Sequence, residues 1–147
     1  MDYGHRVEEL KEKVAQACLK AGREPQEVTI IAATKYAEAE SIQEIIDCGI
    51  INLGENRAQD LVEKASLVKK DAVWHFIGHL QSRKAKIVVP LVEYIHSIDK
   101  ISTLEKVNLE AGKNNKVQKV LIEVNVSGEE SKYGAEPGQL EELFGEA

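Results

Sequence analysis

Residues 28–34 read VTIIAAT and residues 35–41 read KYAEAES, and the fold turns on this junction. The first seven form a short continuous apolar run rich in β-branched side chains, the pattern of a strand buried on both faces. The seven that follow contain no glycine, so the G-x-G-x-x-G turn of a dinucleotide-binding sheet is absent. Working outward, four more short runs have strand character: INLG from 51, VWHFIG from 73, EYIHSI from 93 and KVLIEVNV from 119. Strand starts at 28, 51, 73, 93 and 119 recur at nearly even intervals. Repeated strand–helix units of this length need right-handed crossovers onto a parallel sheet. Two closures are open, a doubly wound sheet or a (β/α)8 barrel of TIM type. The glycine-free turn favours the barrel. In both closures chemistry belongs at the C-terminal ends of the strands.

The segments between the strands have helical periodicity. Val7, Leu10, Val14, Ala17, Cys18 and Ala21 recur at steps of three and four before Gly22, which predicts a helix closed by a C-terminal glycine. Ile42, Ile45, Ile46 and Gly49 share a helical face, and Ser41 with Glu44 has capping-box spacing. Ala58, Leu61, Val62, Ala65 and Val68 form another apolar stripe. Residues 81–89 suit a short helix stopping before Pro90. Ile101, Leu104, Asn108 and Ala111 carry a helix ending at Gly112, and a last helix begins near Pro137.

The chain has 147 residues, a net charge of −6, 43% hydrophobic and 5% aromatic residues. This balance suits one soluble domain spanning residues 1–147 and lacks the basic footprint of a nucleic-acid or anionic-lipid binder. No run of 18 apolar residues suggests a membrane span, and the charged N-terminus has no signal-peptide core. Cys18 and Cys48 lie 30 positions apart among apolar neighbours and read as free, half-buried thiols. A cytoplasmic location is the simplest expectation.

At the strand ends stand Lys35, Asn56, His79, Asp99 and Asn125. A lysine at the mouth of an apolar strand can be partly desolvated, freeing its amine for attack on a carbonyl; a solvated lysine leaving a strand is the plainer reading. The glycines at 54, 78 and 128 either let backbone approach a ligand or simply end strands. His75 and His79 span strand and turn, too far apart along extended chain for one metal ion, so no metal is expected. Glu55, Asp99 and Glu123 would allow a glycosidase-like carboxylate pair, but nothing in their spacing selects it. QSRKAK at 81–86 reads as a solvated face.

Taken together, AATKYAEAESIQEIIDCGI, NLGENRAQDL, WHFIGHLQSRKAK, IHSIDK and EVNVSGEESKYG resemble the pyridoxal phosphate homeostasis protein family, whose fold is similar to the barrel domain of alanine racemase. The resemblance runs from about residue 7 to residue 134. It implies a (β/α)8 barrel that holds pyridoxal 5'-phosphate (PLP) as a Schiff base on Lys35. It also implies that Asn56, His79 and Asn125 surround the cofactor and that Lys132 approaches as a second amine. No catalytic residue follows from it. The implied role is PLP binding and distribution, with PLP-dependent apoenzymes as the other partners. The tyrosine of a racemase comes from a separate β-domain for which this chain has no room.

Family members are expected to continue through three more strands carrying the phosphate-gripping segment. Here 21 residues follow Val126, whereas eight units would need about 70 more. The chain therefore reads as the first five β/α units, and its uncovered sheet edges predict self-association. Two alternatives stay open: a short form that does not retain PLP and acts as an assembly fragment, and a PLP-dependent racemase-like enzyme.

Overall fold

The computed structural model describes residues 2–68 and 71–146. Five strands, β1 (Ala32–Ala33), β2 (Asn52–Glu55), β3 (Val73–Phe76), β4 (Tyr94–Ile98) and β5 (Lys119–Ile122), form one sheet in the order β1-β2-β3-β4-β5. Every pairing is parallel. A doubly wound sheet requires the strand order to reverse at a switch point. Here each strand lies beside its neighbour in sequence throughout, as in a barrel wall.

The intervening helices are α1 (Tyr3–Ala21), α2 (Ala39–Asp47), α3 (Ala58–Leu67), α4 (Ala85–Val88), α5 (Ile101–Lys113) and α6 (Leu140–Glu146). Helices α3 to α6 pack in chain order, each against the next. Register alternates the sheet's chemistry. Leu53 pairs with Trp74, and Glu55, Phe76, Ile95 and Val120 form the next row of the same face. Leu53, Trp74, Phe76 and Ile95 are buried with Ile42, Leu61, Val88, Leu104 and Val107 of the helices. The core therefore lies between this face and the helical layer. Glu55 is the one charged residue of its row.

The opposite face is polar. Ala33, Gly54, His75, Tyr94 and Lys119 form one cross-strand row. His75 hydrogen-bonds Asn52 Oδ1 through Nε2 (3.0 Å) and meets His96 Nε2 through Nδ1 (2.9 Å). Its ring also stacks on Tyr94 at 4.8 Å.

The structure corrects several boundaries. Residues 28–31 stay outside the sheet, and Thr29 and Ala33 are exposed. Among the described residues β1 pairs only with β2, so here it is shorter and wetter than a strand buried on both faces. At the other edge Leu121 is 49% exposed. Helix α2 starts two residues before Ser41, with Glu38 at its N-cap and no side-chain cap, so no capping box forms. Gly49 lies past the end of α2 in the left-handed region (φ 86°). Helix α5 runs through Gly112, and Asn108 is exposed while Thr103, Val107 and Glu110 are buried. Cys18 is buried, Cys48 only partly. The end of α1 forms as expected: Gly22 takes φ 65° and its N–H reaches the carbonyls of Cys18 and Leu19.

Candidate functional site

Four of the five candidate residues lie just past the C-terminal ends of strands, and Lys132 lies further along the segment after β5. Lys35 follows β1 by two residues, Asn56 follows β2 directly, His79 follows β3 by three, and Asn125 and Lys132 follow β5. The structure sorts them into two clusters and one loop.

Lys35 and Asn56 line one cleft of about 170 Å³, together with Tyr36, Arg57 and Asp60. Lys35 sits in a tight turn closed by the Ala37 N–H donating to the Thr34 carbonyl (2.9 Å). Its Nζ lies 4.8 Å from the Tyr36 ring centroid. Both Lys35 and Asn56 are exposed. The desolvation expected of Lys35 is therefore not provided by the described residues, because its strand is an edge. A primary amine, an amide and a guanidinium in one open cleft fit the polar substituents of an aldehyde cofactor. PLP would take the Lys35 amine here, with Asn56 and Arg57 beside it. What PLP supplies when bound is an electrophilic aldehyde and an electron-accepting ring.

His79 forms the second cluster. Its ring stacks on Tyr133 with centroids 3.9 Å apart and planes 11° off parallel. Its Nδ1 stands 3.5 Å from Asp99 Oδ2. Tyr133 adjoins Lys132, so the stack carries the loop after β5 toward the loop after β3. The exposed Lys132 donates its backbone N–H to the Glu129 carbonyl (3.0 Å). Asn125 builds that loop. Its Oδ1 accepts from Ser127 Oγ and the Gly128 N–H (both 3.1 Å), and its Nδ2 donates to the Glu129 carbonyl (2.9 Å). The amide of Asn125 is hydrogen-bonded within the turn.

The glycines join these parts by packing. A Cβ on Gly78 would stand 2.3 Å from the Asn56 carbonyl oxygen, and one on Gly54 would stand 2.8 Å from Ile77 Cδ1. Gly78 thus lets the end of β3 lie against the backbone of Asn56, linking the two clusters.

Sequence reasoning missed the polar set beneath Lys35. Glu55 is fully buried. Its Oε1 accepts from Thr34 Oγ1 and pairs with Lys64 Nζ, both at 2.6 Å, and Lys64 Nζ also donates to the Thr34 carbonyl at 2.6 Å. A carboxylate held this way is unavailable for glycosidase chemistry. A signal was present: Lys64 lies three residues past Leu61 on the buried stripe of α3, where a lysine needs a partner.

No family model matches the chain. A pyridoxal phosphate homeostasis protein of Aquifex aeolicus is 42% identical over 145 residues, which is 98% of this chain and 64% of that protein. The chain is homologous to the pyridoxal phosphate homeostasis proteins. A crystal structure of an unknown protein from Bifidobacterium adolescentis superposes with a TM-score of 0.88 at 33% identity, covering 98% of this chain and 63% of that one. PipY of Synechococcus elongatus PCC7942, solved with PLP bound, superposes with a TM-score of 0.74 at 30% identity, covering 88% and 63%. The chain thus spans just under two thirds of the length of the relatives it matches. Its α/β architecture is the corresponding part of a TIM-barrel-like fold. Among the described residues no helix is long and apolar enough to cross a membrane.

Proposed function

We propose that residues 1–147 form one PLP-binding domain that takes part in PLP homeostasis in the cytoplasm, holding the cofactor as a Schiff base on Lys35. The observation that carries this reading is the cleft shared by Lys35 and Asn56 at the ends of the first two strands. The Lys35 amine would condense with the aldehyde carbon, a C=N bond replacing C=O as water leaves. Arg57 and Asp60 line the same cleft and would orient the ring substituents. His79, stacked on Tyr133, and Lys132 on the adjoining loop belong to the same strand-end side and would complete the site from there, with Asn125 shaping that loop. The role is storage and delivery to PLP-dependent apoenzymes, without turnover of an amino acid.

Titration with PLP tests this. The protein should develop the visible band of a lysine Schiff base, and Lys35→Ala should lose it while keeping its fold by circular dichroism. A Lys35→Ala variant with an unchanged band would overturn the assignment.

A second reading, an assembly fragment, is favoured by the short exposed edge at β1 and by the half-exposed Leu121 on β5. Open edges pair with other chains. It predicts an oligomer whose size rises with concentration and which forms equally well in the Lys35→Ala variant.

A further inference from the structure

We infer that Lys64, Glu55 and Thr34 form a buried positioning clamp that sets the backbone carrying Lys35 and Asn56. This rests on the cofactor reading above. Thr34 and Glu55 are the residues immediately before Lys35 and Asn56, and the clamp ties both to α3. Its three bonds close a ring: Thr34 Oγ1 to Glu55 Oε1, Lys64 Nζ to Glu55 Oε1, and Lys64 Nζ to the Thr34 carbonyl, each 2.6 Å. The Thr34 carbonyl is also the acceptor that closes the turn bearing Lys35, from the Ala37 N–H. Lys64 therefore fixes the origin of that turn directly. On the other strand, Glu55 Oε2 accepts the Asn56 N–H at 3.3 Å.

Anchoring α3 alone would not select these residues. An ion pair this deep, with side chains 13% and 0% exposed, gives up most of its attraction to desolvation, and apolar side chains of similar volume hold a helix as well or better. What a charged, hydrogen-bonded pair adds is direction: short bonds to the carbonyl and the hydroxyl of Thr34, directly after β1, which among the described residues has one neighbouring strand to hold it. The rest of the Glu55 row is apolar, so the charge sits where the core pattern would otherwise place a hydrophobe. Lys64 and Glu55 act through Thr34 and Asn56 and are positioning residues.

The test compares PLP binding in the wild-type chain, the double variant Lys64→Met/Glu55→Gln, and Thr34→Val. The double variant removes both charges while keeping volume, so folding should survive. It should bind PLP about tenfold more weakly and lose most of the circular dichroism that a rigidly held cofactor shows in its visible band. Thr34→Val deletes one hydroxyl, leaves the ion pair intact, and should weaken binding about threefold. It decides the matter alone if the double variant does not fold. Wild-type affinity and wild-type cofactor dichroism in the folded variants would overturn the clamp. Absence of a Schiff-base band in the wild-type chain would instead overturn the cofactor reading, so the two failures are distinct.

Discussion

Gly78 shows how much of the site depends on a missing atom. With a Cβ only 2.3 Å from the Asn56 carbonyl oxygen, an alanine must push β3 and the Asn56 backbone apart, because backbone cannot swing aside as a flexible side chain can. Overpacking of this kind costs ~1–3 kcal/mol. Gly78→Ala should therefore lower the urea midpoint of the chain. It should also weaken PLP binding, since it moves the residue beside Lys35. An unchanged midpoint would mean that the approach relaxes freely. From the sequence, Gly78 reads first as a strand terminator and second as a ligand-approach site. The choice between them needed the neighbouring strand, which no local pattern specifies. The place of Lys35 and Asn56 past strand ends was legible because it follows from where apolar runs end. The clamp below them was not, because Thr34, Glu55 and Lys64 come from three elements and only Lys64 interrupts a periodic stripe.

At the scale of elements, the polar face of the sheet carries a consequence for pH. Asn52, His75 and His96 stand on β2, β3 and β4 and are joined by two hydrogen bonds. Burial is the main cause drawing the His75 imidazole below its ordinary value; the neighbouring His96 adds to this and Glu93 opposes it. Burial alone lowers His96. In the unfolded chain both rings titrate near 6.5, so below that value the unfolded state binds more protons than the folded state. The stability these rings allow is present above about pH 6.5 and is lost as pH falls from there toward their lowered folded values. The urea midpoint should drop between about pH 8 and about pH 5.5, and His96→Gln should make the drop smaller. Identical pH dependence in the two proteins would show that the pair is not the cause. Carboxylates contribute to the slope of both, which is why the difference between them is the informative quantity.

The elements also show where sequence reading stops. Five strands and six helices were visible because apolar runs and 3.6-residue stripes alternate at even intervals. Their ends were less so. The apolar run from residue 28 reads as a full strand, but a strand pairs only where it has a neighbour, and among the described residues β1 has one on a single side. Ser41 and Glu44 have the spacing of a cap, but the chain enters α2 at Glu38. Local spacing offers such a motif without fixing where the backbone first turns helical.

Across the whole molecule, the strand order and the homology agree. Parallel strands laid down in chain order form a wall of a TIM-barrel-like fold, and the homologous proteins are named for pyridoxal phosphate homeostasis. The candidate residues gather at one end of that wall although they lie nearly 100 positions apart in sequence, as the right-handed strand–helix repeat requires. We propose that this end holds PLP on Lys35. Incubation with PLP, reduction with borohydride, digestion and mass spectrometry test it most directly. One phosphopyridoxyl group is expected, on the peptide containing Lys35. An unlabelled Lys35 peptide, or a label confined to Lys64 or Lys132, would contradict it.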